Sequence, residues 1–439
     1  MKKFIQTIKN IYKIEELRKR IVYTFLLILV YRLGSFIVLP GIDPSVIAEF
    51  SASMSNRTDA LSLLNMFSGG AFGNVSIFAL GVMPYISASI VVQLLGVFVG
   101  KFRKMQAEES GRRKLNQITR LLTIVILCIQ GPAYISNIMH QYPNAFLVSS
   151  KLYILAATVI LLGGSMFVMW LGERITERGI GNGISLIIMI GIIARLPQAF
   201  MAEVLSKAGS TTGGILLLIV EFVILFFVFV AAIALVQAVR KVPVQYANRV
   251  IGNKQYGGVR QYIPLKVNAS GVMPIIFAQA IMLFPIIFSR FDATRGFAAA
   301  MSNYTGLWYN LVFGFLVIVF TYCYTAVTFQ PNMMAEDMKK NGGFIPGVKP
   351  GKKTMEYLDT IMTRIVLPGS IFLAIIAVLP AIATLCGVNN QFASFYGGTS
   401  LLILVGVVLD TLQQVESHLL MRHYDGLMKT GRLTGRSGM

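Results

Sequence analysis

Stretches of apolar residues, each about as long as a bilayer is thick, recur along the chain between polar connections. A transmembrane helix needs about 20 predominantly apolar residues. The pattern predicts an all-α membrane protein with ten transmembrane helices, of which the second, fifth and tenth are weakened by Pro84, Arg195 and Asp410. The predicted spans are 21–38, 75–99, 118–139, 152–171, 183–200, 215–239, 271–288, 307–329, 365–385 and 399–419.

Composition agrees with lipid as the surrounding solvent. The chain has 439 residues, of which 55% are hydrophobic and only 13% are charged. A soluble chain of this length would need more charge to cover its surface.

The placement of Lys and Arg supports the number of spans. All but seven of the 39 lie in the two tails or in the connections after even-numbered spans. Because Lys and Arg concentrate in cytoplasmic loops, both termini are predicted to be cytoplasmic. The net charge of +20 then marks a cytoplasmic face, and binding of anionic phospholipid or of a large acidic partner remains open.

A short motif recurs and divides the spans into two sets. Gly81-Val82-Met83-Pro84 returns as Gly271-Val272-Met273-Pro274, in the second span of each set of five. An odd number of spans per half gives the halves opposite orientations, as in an inverted repeat with its pathway between the halves. The predicted domains are an amphipathic cytoplasmic helix at 1–20 without a cleavable signal peptide, an N-terminal half at 21–205, a C-terminal half at 206–419 and a cytoplasmic tail at 420–439.

Three connections are unusually long. Loop 240–268 alternates β-formers around a Gly-Asn turn, which predicts a cytoplasmic β-hairpin. Loop 330–364 is rich in Lys and Gly, and the two loops together favour a docking face over flexible topology anchors. Segment 60–73 in the first outward loop is an apolar helix too short to span, either lying on the outer leaflet or folded into the protein, with its glycines as a hinge.

The chemistry that an enzyme needs is missing from the sequence. We find no His/Cys metal cluster, no phosphate-binding glycine loop and no Ser/His/Asp set, so no metal, cofactor or direct nucleotide binding is expected. The span carboxylates Glu221 and Asp410 belong to different spans, which argues against an intramembrane enzyme. A coupled small-solute transporter would need charged groups near the midplane, and the spans carry almost none there.

Isoleucines and a few polar residues mark the less hydrophobic spans. Isoleucine on a membrane helix usually faces lipid or core, but a ring of such residues would also close a pore by dewetting. Gln93 and Asn268 are expected to form reversible bonds between helices, whereas Ser87 and Ser89 can bond within their own helix.

Four motifs in the right order make the chain resemble the SecY family. They are Gly81-Val82-Met83-Pro84-Tyr85-Ile86-Ser87-Ala88-Ser89-Ile90, Gly172-Glu173-Arg174-Ile175-Thr176-Glu177-Arg178-Gly179-Ile180-Gly181-Asn182-Gly183, Leu265-Lys266-Val267-Asn268 followed by Gly271-Val272-Met273-Pro274, and Gly343-Phe344-Ile345-Pro346-Gly347-Val348-Lys349-Pro350-Gly351.

The resemblance implies a fold and a set of site residues. The fold would have two inverted five-helix halves around a central pore, with a short plug helix on the outer side. The pore ring would be Val82, Ile86, Ile188, Ile192, Ile276 and Ile403. The plug would include Leu61, Leu64, Met66, Phe67, Gly69, Gly70 and Phe72, and the lateral gate Ser87, Ile90, Gln93 and Asn268.

The resemblance also implies a function and partners. The chain would conduct unfolded secretory polypeptides across the bacterial plasma membrane and release hydrophobic segments laterally, as a passive channel rather than an enzyme. Its partners would be the SecE and SecG subunits, the motor ATPase SecA, the ribosome, precursors with signal peptides and anionic phospholipid. SecA and the ribosome would dock on Arg249, Lys254, Lys349, Lys352 and Lys353, where Lys349 replaces an arginine common in the family.

Overall fold

A computed structural model gives the fold, and it describes residues 14–47, 65–147, 151–208, 214–246, 249–251, 254–256, 260–282, 296, 301 and 305–430. The described chain forms two compact units. The first holds the residues up to Arg195 and those from Val407 onward, and the second holds Leu196–Gly406.

Helices of the first unit pack around one apolar core. Helix α2 packs on α4, and α5 packs on both α4 and α1. The core includes Leu39, Val75, Leu127, Ile135 and Leu161, all at most 1% exposed. The helices are α1 (Glu15–Gly34), α2 (Met83–Phe98), α3 (Gly100–Ala107), α4 (Glu109–Gln141), α5 (Lys151–Arg178) and the first part of α6 (Gly183–Ala208).

The second unit combines helices with a small sheet. Helix α9 packs between α8 and α11, and α10 also packs on α11. The helices are α7 (Gly214–Gln237), α8 (Met273–Met282), α9 (Leu307–Thr328), α10 (Pro331–Lys340), α11 (Lys352–Leu385), α12 (Asn390–Ala393) and the first part of α13 (Gly398–Thr430), which ends in the first unit.

Each of the ten predicted spans contains a helix in the described part of the chain. Seven of these helices, α4, α5, α6, α7, α9, α11 and α13, are long and apolar enough to cross a membrane. Helix α1 carries charged residues in its first turns, α2 has only 16 residues, and α8 ends where the described segment ends. The count of ten spans therefore stays a prediction.

The two copies of the repeated motif have the same local structure. Gly81 and Gly271 adopt φ values of +50° and +62°, a region that favours glycine. A helix begins two residues later in each copy, with Pro84 or Pro274 in its first turn, where proline loses no hydrogen bond. The second span therefore becomes helical at Met83, so its predicted helical start at residue 75 is wrong.

The predicted β-hairpin is confirmed and gains a third strand. Strand β1 (Val239–Tyr246) pairs antiparallel with β4 (Arg260–Lys266), and β2 (Arg249–Ile251) pairs with β3 (Lys254–Tyr256). Strand β5 (Gly343–Phe344), from the next long loop, pairs with the other edge of β1. Buried side chains tie this sheet to α10 and α11, and they are Val242, Val244, Leu265, Met338, Ile345, Leu358, Met362 and Val366.

Candidate functional site

Residues 65–76 form a compact segment in the first unit, which we call the plug stem. The described part of this segment begins helical at 65–67 and continues in turns, and most of its side chains are buried. The predicted plug residues Met66, Phe67, Gly69, Gly70 and Phe72 lie in this stem. This burial favours the folded-in alternative over a helix lying on the leaflet. The predicted plug residues Leu61 and Leu64 lie outside the described residues.

Helix α1 fixes the middle of the plug stem with two side chains. The Tyr31 hydroxyl donates to the carbonyl oxygen of Ser68 at 3.2 Å. The next residue, Arg32, donates from Nη1 to the carbonyl oxygen of Gly69 at 2.8 Å. Hydrogen bonds that involve a charged group are stronger than neutral ones, so the Arg32 contact is the stronger anchor.

Helix α4 fixes the end of the stem. The Tyr134 hydroxyl donates to the carbonyl oxygen of Phe72 at 2.6 Å. The two rings also pack, with their centroids 4.7 Å apart. The stem is therefore held from two helices at three of its carbonyl groups.

The glycines of the stem allow close contact with α6. A Cβ added to Gly69 would lie 2.7 Å from the Cα of Gly191, and the φ of Gly69 is +65°. A Cβ on Gly191 would lie 2.9 Å from the carbonyl oxygen of Phe67. In this conformation the glycines serve close packing, and their expected hinge role stays a prediction.

Hydrogen bonds inside the stem complete its shape. Asn65 is fully buried and accepts on Oδ1 from the amide of Gly73 at 2.8 Å. Its carbonyl oxygen accepts from the amide of Gly70 at 2.9 Å. One asparagine thus closes the loop on itself, which fixes the carbonyl groups that α1 and α4 bind.

The first unit contains four of the six predicted pore-ring residues. Val82 immediately precedes α2, and Ile86 lies one turn further on. Ile188 and Ile192 are buried and lie one turn apart on α6. Ile188 and Ile192 therefore occupy one face of α6.

The other two predicted ring residues lie in the second unit. Ile276 is half-buried on α8, and Ile403 is buried on α13. Their helices approach each other, since a Cβ on Gly406 would lie 3.8 Å from Cγ2 of Val272. Each of these residues lies one turn away from that contact.

The predicted gate residues form local hydrogen bonds. Gln93 donates from Nε2 to Ser89 Oγ, one turn earlier on α2, at 3.2 Å. Asn268 accepts on Oδ1 from Ser270 Oγ at 3.2 Å. These bonds differ from the expected bonds between helices, because short polar neighbours lie within reach. Ser87 is half-buried and Ile90 is buried on α2.

The predicted docking residues lie in the two long loops of the second unit and at the start of α11. Arg249 and Lys254 belong to the paired strands β2 and β3. Lys349 is exposed after β5, and its carbonyl oxygen accepts from Thr354 Oγ1 at 3.0 Å. Lys352 and Lys353 are exposed at the start of α11.

Sequence reasoning missed the residues that hold the stem. Tyr31, Arg32, Tyr134 and Gly191 were assigned no role, although an arginine inside a predicted apolar span is an available signal. The described residues contain no group of three or more His, Cys, Asp or Glu side chains that could hold a metal ion.

Comparisons with known proteins agree with this architecture. A family model named SecY matches residues 76–412. The protein named protein translocase subunit SecY from Chlamydia trachomatis is 39% identical over 454 residues, which cover 98% of this chain and 99% of that protein.

Two solved structures have a similar fold. One is described as showing that the plug domain of the SecY protein stabilises the closed state of the translocation channel, and it matches with a TM-score of 0.59 and 17% identity over 91% of this chain and 92% of that one. The other, Sec61 in the canine ribosome-channel complex, matches with a TM-score of 0.54 and 16% identity over the same shares.

Proposed function

The chain belongs to the SecY family, and on that premise we propose how its parts serve a protein-conducting channel. It is a subunit of a protein translocase and a multi-pass membrane protein, and it is not an enzyme. The observation that carries this function is the 39% identity to a curated translocase subunit over 98% of the chain.

The channel is closed by apolar side chains and by the plug. Val82, Ile86, Ile188, Ile192, Ile276 and Ile403 form a ring that excludes ions by dewetting and grips no particular sequence. Burial of four of these side chains and the anchoring of the plug stem support this proposal. The likeness to a channel whose plug stabilises its closed state also supports it.

A hydrophobic signal helix opens the channel by binding its open state better than its closed state. Ser87, Ile90, Gln93 and Asn268 line the lateral gate, through which hydrophobic segments leave for the lipid. The local bonds of Gln93 and Asn268 support a gate that opens without breaking a strong contact.

The membrane is the bacterial plasma membrane, with both termini in the cytoplasm. The alternating distribution of Lys and Arg supports this orientation. SecE and SecG complete the channel, anionic phospholipid surrounds the basic face, and precursors with signal peptides are the cargo. SecA and the ribosome supply the driving force and bind the basic residues around the sheet.

Reconstitution tests the function directly. The full chain is placed in vesicles with SecE and SecG, and SecA, ATP and a secretory precursor are added outside. We expect the precursor to become protected from added protease. Vesicles with SecA but without ATP are the control, and a lack of protection with active SecA would overturn the proposal.

A further inference from the structure

A buried charged cluster lies in the second unit. It consists of Glu203 and Lys207 on α6 and Glu221 on α7, and we call it the outer cluster because these helix ends are predicted to face outward. Lys207 Nζ lies 3.0 Å from Glu221 Oε1 and 3.8 Å from Glu203 Oε1. Glu203 is 1% exposed and Glu221 is 5% exposed.

The outer cluster binds the connection between α11 and α13, residues 386–397. The amide of Asn389 donates to Glu203 Oε2 at 2.8 Å, and Lys207 donates to the carbonyl oxygen of Gly387 at 3.0 Å. The Tyr396 hydroxyl donates to the carbonyl oxygen of Glu221 at 2.8 Å. All three members therefore contact this one segment.

Aromatic side chains reinforce the contact. The ring of Phe222, next to Glu221, lies 5.8 Å from the ring of Phe392, which lies 5.7 Å from that of Tyr396. The segment is thus fixed by both polar and apolar contacts with α7.

The charges of the outer cluster do not balance. Two carboxyl groups share one ammonium group, because Lys207 Nζ contacts both Glu203 and Glu221. Among the described residues, the charged or titratable groups that face Glu203 are Glu221, Lys207 and Tyr396. A buried charge without compensation is costly, so full ionisation would leave a destabilising negative charge.

Two oxygen atoms without a donor point to the same deficit. Glu203 Oε1 and Glu221 Oε2 are buried and accept no hydrogen bond from the described residues, whereas Glu221 Oε1 lies 3.0 Å from Lys207 Nζ. One proton between the two side chains would supply a donor and would make the cluster neutral. When two carboxyl groups lie close together in one buried site, one of them commonly keeps a proton.

We propose that Glu203 and Glu221 hold one proton between them and that this neutral cluster positions residues 386–397. The inference rests on the proposed function, because the segment leads into α13, which carries Ile403. The link is short: Ser400 Oγ donates to the carbonyl oxygens of Ser394 and of Gly397, the latter at 3.1 Å, one turn before Ile403. These glutamates are positioning residues for the pore.

The proposal has a defined dependence on pH. At neutral pH the shared proton is present and the segment is held. At alkaline pH the proton passes to water, the two carboxylates repel each other, and the segment opens. An opening that releases one proton becomes about tenfold more favourable for each unit of pH, as long as the closed cluster still holds that proton and the open state does not.

Amide hydrogen exchange of residues 386–397 tests the shared proton. The full chain in lipid nanodiscs is measured from pH 7 to pH 9.5, with rates corrected for the intrinsic effect of pH. We expect the wild-type protection to fall, with a slope approaching tenfold per pH unit. Glu203→Gln should keep its protection across the range, because glutamine has no proton to release and its carbonyl still accepts from Asn389.

Two further variants keep the test decisive. Glu221→Gln should remove the pH dependence in the same way, even if Glu203→Gln fails to fold. Glu356→Gln, which changes an exposed glutamate of the same unit, should follow the wild type. The proposal would be overturned if the wild-type protection did not change with pH, or if it changed in parallel with that of both glutamine variants. A loss of protection of tenfold or more in both variants at pH 7 would overturn it as well.

Precursor transport separates this inference from the function on which it rests. Wild-type vesicles should protect a precursor at pH 7 and transport it less well at pH 9, whereas Glu203→Gln should lose less activity at pH 9. No transport at pH 7 would overturn the channel function. Transport at pH 7 together with flat exchange profiles would overturn only the shared proton.

Discussion

Arg32 Nη1 donates a hydrogen bond to the carbonyl oxygen of Gly69 over 2.8 Å, which joins α1 to the plug stem. Removing a hydrogen bond of a charged donor costs about 1.5–3 kcal/mol. Arg32→Leu should therefore weaken the closed channel and raise its ion conductance at least about tenfold, as measured in planar bilayers.

Two variants serve as controls for the loss of the Arg32 hydrogen bond. Arg32→Lys keeps a donor and should restore part of the seal. Arg18→Leu, on the same helix but far from the stem, should leave the conductance unchanged. Equal leak in Arg32→Leu and in the wild type would show that the bond does not hold the plug.

The contact between Gly69 and Gly191 predicts an effect of a single methyl group. Gly191→Ala places its Cβ 2.9 Å from the carbonyl oxygen of Phe67, so the stem must shift. Overpacking of this kind costs about 1–3 kcal/mol, and thermal unfolding in detergent should show the loss. Gly163→Ala is the control, because its Cβ meets no atom within 4 Å and the change should be neutral or stabilising.

Closure of the pore should depend on the polarity of the ring side chains rather than on their size. Replacing Ile86, Ile188, Ile276 and Ile403 together with Asn should hydrate the pore and raise the ion leak. Precursors with defective signal sequences should then also be transported. The variant with Leu at the same four positions should behave as the wild type in both assays. If the Asn variant also behaves as the wild type, these residues do not close the channel.

Removing the basic residues at the start of α11 should weaken binding of the motor ATPase. Lys352→Gln with Lys353→Gln should weaken SecA binding to vesicles by a few fold at low salt, and less at high salt, because salt screens such charges. Lys339→Gln with Lys340→Gln removes the same charge from exposed positions on α10. An equal effect of both pairs would indicate attraction by net charge alone, not a docking site at α11.

Local signals in the sequence predicted several elements correctly. The hairpin follows from alternation, since Val242 and Val244 point into the core and the residues between and beside them do not. The helical start at Met83 could have been read from Pro84, because proline is common in the first turn of a helix.

Contacts between distant parts of the chain account for what sequence analysis missed. Strand β5 has only two residues and acquires its structure by pairing with Gln245 and Tyr246, far away in sequence. The same holds for Arg32 and Gly69, which carry no motif that relates them. The outer cluster was missed because Glu203 and Lys207 lie beyond the predicted fifth span, 183–200, and no motif relates them to Glu221.

The pairing of β5 with β1 has a consequence for engineering chimaeric channels. The loops at 240–268 and 330–364 share one sheet and one core, so they form a single exchangeable module. A chimaera that takes only one loop from a relative would join mismatched strands around Gly343, whose added Cβ would already lie 2.9 Å from Tyr246 Cε1. Exchanging both loops together should preserve folding, so partner preference could be transferred between species as one cassette.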